Sequence, residues 1–304
     1  MSSGGSRSAG CISRKSVDLV AQFFINSLIA GSIYALLAVS FNFMFAATRF
    51  FNLAHGSIVV IGAYGLYYFG RELEWSLWLA IPLAVAIAAL VGFAVERLVY
   101  HPLRARGGSP MILLVASLGV MTVIHSILAI IFTSNFTTVL DPFEKTLFSF
   151  FNAHFTSVQL TIFLTSLVVS VLFFILMKKT LFGKVVAAVS DDEEVSQIVG
   201  INTNNVMAQV FLVGSAIAGL GGVLAGIDTG VSPSMDMVFL LKAVIAAIVG
   251  GVGSIYGGFL GAFLIGFAEN FGILVIPSQW KDMIAFAILI VFMLVRPQGI
   301  LGKK

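Results

Sequence analysis

From Leu160 to Met177 the chain reads LTIFLTSLVVSVLFFILM, with no Asp, Glu, Lys or Arg. The runs Trp75 to Val95 and Met111 to Phe132 are equally free of them. Hydrocarbon cannot satisfy backbone N–H and C=O groups, so such runs become helices or the strands of a closed barrel. Barrel strands alternate apolar and polar residues over ~10 positions, and these runs do not alternate. The chain is therefore read as an all-α polytopic membrane protein. Composition agrees: 59% of residues are hydrophobic, 10% are charged and mean hydropathy is +1.05, whereas a soluble domain is roughly 25% charged. At ~20 residues per crossing, the 304 residues allow about eight to nine transmembrane helices, with possible re-entrant or broken ones.

Residues 1–18 are Ser- and Gly-rich and are expected to form a disordered polar tail. Residues 19–304 then form one membrane domain. The apolar run after Asp18 is longer than a signal-peptide core and lacks a convincing cleavage site, so it is read as a retained first span. Cys11 is the sole cysteine, which excludes an intrachain disulfide and a multi-cysteine metal site. The net charge of +3 mostly reflects topology, because Lys and Arg in loops follow orientation.

The segment Ala47 to Ser57, ATRFFNLAHGS, interrupts the apolar pattern, and the block after it, Ser57 to Phe69, is short for a crossing. Non-helical backbone at membrane depth needs protein or a water-filled cavity around it. Asn52, His55 and Gly56 are therefore candidates for the translocation path, although His55 reads more readily as a hydrogen-bonded loop histidine than as a ligand. Tyr100 to Pro110 reads as a loop. Thr133 to Gln159, with Asp141-Pro142, Glu144, Lys145, Phe148, Phe150, Phe151 and Phe155, reads as a connection with a short amphipathic interfacial helix. Near the C-terminal third, Gly250, Gly251 and Gly253 form a hinge. Gly222-xxx-Gly226 and Gly257-xxx-Gly261 place small residues on one helical face, for packing within the subunit or for a subunit contact.

Ionisable residues inside spans are few: His55, His125, Lys242 and Glu269, with Glu96-Arg97, Asp228 and Asp236 near span ends. Intramembrane charge is costly and marks either a path or a structural pair. Lys242 and Glu269 can pair across facing spans in either role. A proton-coupled carrier would carry a richer chain of buried acids. GxxxxGK[ST], GxGxxG and HExxH are all missing, so this chain by itself is expected to hydrolyse no ATP, use no cofactor and act as no enzyme.

The one strongly polar stretch is Lys178 to Val206, which lies between two apolar runs and holds Lys178, Lys179, Lys184, Asp191, Asp192, Glu193 and Glu194. Ser190 followed by Glu193 has capping-box spacing, and acids in a first turn suit the helix dipole. Val195, Ile198 and Val199 form an apolar stripe, and Gly200 is placed to end the helix. The expectation is a short amphipathic helix, Ser190 to Gly200, that docks a soluble partner or else packs on its own spans. Arg104 and Arg106, this segment, and Lys303-Lys304 should share the cytoplasmic side. The N-terminus stays open: it lies outside, or Ala47–Ser57 is a re-entrant half-crossing.

Four motifs now carry a resemblance: Phe51-Asn52-Leu53-Ala54-His55-Gly56; Gly183-Lys184 through Gly200-Ile201-Asn202; Gly250-Gly251-Val252-Gly253-Ser254; and Arg296-Pro297-Gln298-Gly299-Ile300-Leu301-Gly302. Together, over Val20 to Gly302, the chain resembles the membrane subunits of branched-chain amino acid ABC transporters, and the first of the two permeases more than the second. The resemblance implies a multi-pass inner-membrane subunit. It implies a sister permease, two cytoplasmic ATP-binding subunits and an extracytoplasmic substrate-binding protein as partners, besides membrane lipid and without nucleic acid. It also implies that Gly183 to Ile201 is the coupling segment seated in a groove of one ATPase. One departure concerns Val185, Val186 and Val189, which follow Lys184 where relatives often carry further basic residues; it puts the electrostatic part of docking in question. A urea or short-amide permease of the same superfamily, and a stand-alone channel or ion-coupled carrier, are the alternatives.

Overall fold

The computed structural model describes residues 6–133, 135–139, 147–150 and 153–302. Asp141-Pro142, Glu144, Lys145, Phe151 and Lys303-Lys304 lie outside them. The described residues form an almost wholly helical bundle. Six helices are long and apolar enough to cross a membrane: Leu19–Thr48, Leu77–Ala105, Pro110–Phe132, Ser157–Lys179, Thr203–Thr229 and Ser278–Val295. A seventh span counts if Met235–Gly250 and Ile255–Gly272, bent by 113° at their junction, are taken together. The six or seven spans agree roughly with the eight to nine expected, and the short helix His55–Tyr67 and the bent pair are partial elements of the kind the sequence allowed for.

We number the helices α1 (Ser6–Thr48), α2 (His55–Tyr67), α3 (Leu77–Val95), α4 (His101–Ala105), α5 (Pro110–Phe132), α6 (Ser157–Lys179), α7 (Leu181–Asp191), α8 (Glu193–Ile198), α9 (Thr203–Thr229), α10 (Met235–Gly250), α11 (Ile255–Gly272) and α12 (Lys281–Val295). α1 and α9 form the centre: 78% of the membrane window of each is buried, against 11% for α5 and 6% for α12. The outer helices therefore present their apolar side chains to lipid or to other subunits.

Close helix contact rests on missing side chains. A Cβ at Gly222 of α9 would lie 1.8 Å from the Val59 carbonyl oxygen of α2, so α2 and α9 meet backbone to backbone there. The Gly257-xxx-Gly261 pair faces Gly250 and Ala246 of α10. Both small-residue motifs thus serve packing within this chain.

Three expectations are corrected. Helical backbone begins at Ser6, inside the stretch expected to be a disordered tail; its sequence holds no proline to stop a helix running into α1. The region Tyr100 to Pro110 is not a loop throughout. α3 continues through a π-helical turn, Glu96–Tyr100, into α4, because Tyr100 is buried with its hydroxyl on Asn52 at 2.8 Å and buried Glu96 pairs with Arg104. The turn comes only at Gly107, where φ is +76°.

Before α6 the chain forms a hairpin, not a helix. β1 (Leu147–Phe150) pairs antiparallel with β2 (Ala153–Thr156), with Phe148 opposite Phe155 and their rings 6.0 Å apart. Aromatic cross-strand pairs stabilise such ribbons. Gln22 of α1 then holds the His154 backbone on both sides, accepting from its N–H at 2.8 Å and donating to its carbonyl at 2.9 Å.

Candidate functional site

The polar stretch after α6 folds into two short helices. Thr180 ends α6 and starts α7, its hydroxyl accepting from the Gly183 N–H at 3.2 Å. Gly183 lies against the end of α6, where a Cβ would be 2.0 Å from the Met177 carbonyl oxygen. Val186 and Val189 of α7 are buried in the main core, while Lys184 stays exposed. Val186 and Val189 thus anchor α7 to the bundle.

Ser190 is not the cap of the second helix. It lies in the last turn of α7, and its carbonyl accepts from the guanidinium of Arg49. The cap is Asp192, whose carboxylate accepts from the Val195 N–H at 3.0 Å, and its extended backbone separates α7 from α8. The apolar spacing through Val186 and Val189 keeps α7 helical through Asp191, so Asp192, the first residue past it and able to cap, takes the role. Asp191, Glu193 and Glu194 are exposed beside it. Gly200, at φ +89°, closes α8 as expected from its position.

The apolar stripe does not fold back onto the bundle. Val195 is 54% exposed, Ile198 83% and Val199 69%, and only Ser196 of α8 is buried.

The interrupted segment after α1 is a packed turn. Asn52 is buried and accepts from the Ala54 N–H at 3.1 Å and from Tyr100. His55 is fully buried, with Nε2 3.2 Å from the Leu37 carbonyl and 3.4 Å from Ser40 Oγ. Gly56 meets the Asp236 carbonyl of α10. These three residues join α1, α2, the turn after α3 and α10, and none of them lines the cavity beside Lys242 or the one beside Pro82.

At the α10–α11 junction Gly251 and Gly253 take φ of +116° and +80°, a region open mainly to glycine. Asn42 of α1 clamps this turn: its amide donates to the Gly251 and Ser254 carbonyls at 3.2 and 2.8 Å and accepts from the Gly253 N–H at 3.0 Å. The motif after Arg296 pads the same junction, with the Ile300 and Leu301 N–H groups on the Val249 and Gly250 carbonyls. Sequence reasoning missed Asn42, whose one signal was an amide among apolar residues in the second half of α1.

Lys242 and Glu269 do pair, across α10 and α11. Lys242 also lies 2.7 Å from Asp282, and the Tyr34 hydroxyl donates to Glu269 at 3.0 Å. Lys242 and Asp282 open on a cavity of about 490 Å³ whose wall also includes Asn26, Asp228 and Lys281. Of the candidate path residues, Lys242 alone lines it, and Glu269 stands behind.

A family model described as branched-chain amino acid transport system / permease component matches residues 23–293. The high-affinity branched-chain amino acid transport system permease protein BraD of Pseudomonas aeruginosa is 30% identical over 303 residues, covering 93% of this chain and 95% of that protein. The corresponding protein LivH of Escherichia coli K12 is 30% identical over 300 residues, with the same coverage of 93% and 95%. The solved structure titled PsaBC from Streptococcus pneumoniae in complex with Fab overlaps 91% of this chain and 92% of its own, with TM-score 0.53 at 12% identity, a likeness of fold. The bundle and these matches lead to one conclusion: the chain belongs to the permease family of branched-chain amino acid transport systems.

Proposed function

We propose that this multi-pass protein is the permease of an ATP-driven importer that carries branched-chain or other hydrophobic, neutral amino acids across the inner membrane. One observation supports an external energy source above the others: the apolar stripe Val195, Ile198 and Val199 is left uncovered on a helix that α7 holds against the bundle. An exposed apolar strip beside acidic residues fits a groove on a soluble protein. The companions in this reading are a sister permease, two cytoplasmic ATP-binding subunits and an extracytoplasmic binding protein. The side of the polar segment follows from its lysines.

In the working cycle, ATP binding draws the ATPases together and displaces α7 and α8. The displacement reaches the α1–α2 turn through Arg49 and shifts the bundle between inward- and outward-open states. No observation favours a urea permease or a stand-alone carrier. Reconstitution with the companions tests the reading. ATP-dependent leucine uptake that stops when the ATPases are left out is the expected result, and equal uptake without them overturns it.

A further inference from the structure

We propose that the cavity beside Lys242 is a receiving site for the zwitterionic head of an aliphatic amino acid, at the end of the bundle remote from α7 and α8; this rests on the transport reading above. Chain direction sets its place. α6 starts at Ser157 and ends at Lys179 beside α7, while α9 starts at Thr203 beside α8 and ends at Thr229. The cavity is lined by Gln159 at the start of α6, by Asp228 and Thr229 at the end of α9, and by Asp282 at the start of α12. It therefore opens on the face opposite the polar segment.

Its volume of about 490 Å³ falls within the ~300–1,000 Å³ of small-ligand sites. Its lining combines charged residues, Lys242, Lys281, Asp228 and Asp282, with apolar ones, Ile29, Ile33, Val238 and Phe239. This combination suits a ligand that carries both charges and a hydrocarbon.

The ion pairs supply an exchange. Glu269 is fully buried, tied to Tyr34 and Lys242, with Lys281 at 3.9 Å, and it stays in place. Asp282 is 66% exposed, so solvent competes for its carboxylate and the pair exchanges more readily than the buried one with Glu269. A ligand carboxylate takes the position of Asp282 on Lys242. The released Asp282 then accepts from the ligand ammonium. One internal pair becomes two ligand pairs, so no charge is left unmatched in the cavity. A pair serving only to neutralise Glu269 would be complete with Lys242 and would need no opening.

The test uses the assembled transporter in proteoliposomes, with Cys11→Ser and a reporter Val238→Cys, a membrane-impermeant thiol reagent and L-leucine as probe. Reagent on the face opposite α7–α8 should label the reporter, and leucine should slow labelling at least about fivefold, an effect of ~1 kcal/mol. Isoamylamine and 4-methylpentanoate, which each lack one charge, should slow it less than about twofold. Asp282→Asn should abolish protection, as should Lys242→Met with Glu269→Gln, which removes the buried pair together and leaves no lone charge. Labelling only from the α7–α8 face, absence of leucine protection, equal protection by either analogue, or protection that survives Asp282→Asn overturns the site. ATP-driven leucine uptake by the parent Cys11→Ser protein separates the two failures: uptake without protection sinks the site alone, and no uptake sinks the transport reading on which it rests.

Discussion

Arg49, at the break between α1 and α2, donates a hydrogen bond from its guanidinium to the carbonyl of Ser190 in the last turn of α7. Carbonyls at a helix C-terminus carry partial negative charge, so a cation there is favoured. Arg49 itself takes φ +55°, a conformation uncommon for non-glycine residues and costing about 1–3 kcal/mol when held. The surrounding fold sustains that cost and joins the polar segment to the turn containing Asn52 and His55. Arg49→Ala should lower leucine uptake by about tenfold, the loss of a charge-assisted bond of ~1.5–3 kcal/mol, while the ATPases still copurify. Uptake equal to the parent protein would remove Arg49 from the coupling path.

Ile198 is more exposed than Val195 or Val199 of the same stripe. Ile198→Asp should leave thermal stability within about 0.5 kcal/mol, as for most surface changes, yet reduce the ATPase recovered with the permease. A pull-down with unchanged stoichiometry would show that α8 is not the docking element.

Gly200 takes φ +89° with open space around its Cα. A β-branched residue there meets backbone strain and no clash, so Gly200→Val should distort the end of α8 by about 1–3 kcal/mol. We expect ATP hydrolysis to persist while uptake falls. The two rates measured on one preparation decide it.

Gly222→Ala tests the core. A Cβ 1.8 Å from the Val59 carbonyl forces α2 and α9 apart, and overpacking of this kind costs about 1–3 kcal/mol. Gly119 of α5 has nothing within 4 Å of such a Cβ, so Gly119→Ala should be neutral or slightly stabilising. Melting curves of both variants in one detergent compare them directly.

Asn42→Leu removes three hydrogen bonds from the glycine junction; the Gly251 and Ser254 carbonyls keep the Ser254 and Gly258 N–H groups, and the Gly253 N–H loses its partner. A polar group so orphaned costs about 1–3 kcal/mol. Hydrogen exchange should accelerate first at residues 251–254, ahead of the rest of the bundle. Uniform exchange would place the clamp elsewhere.

The helical membrane architecture, the break at Gly251 and Gly253, the polar segment after α6 and the Lys242–Glu269 pair were all legible along the chain. Hydropathy, glycine spacing and charge runs are local properties, and the bilayer turns them into structure without reference to distant residues. Local signals misled where two were in competition. Ser190 and Asp192 both suit a helix start, and burial of Val186 and Val189 kept the first of them inside α7. The hairpin of Phe148 and Phe155 followed a period of two in a stretch whose aromatic content suggested an interfacial helix.

Tertiary structure alone decided which polar groups meet. Asn42 and Gly251 stand 209 positions apart, and Arg49 and Ser190 stand 141 apart. Nothing in either neighbourhood encodes the other. Each of these donors takes the acceptor that the packing of α1 against α11 and α7 places in reach, and that placement exists only once the helices have come together.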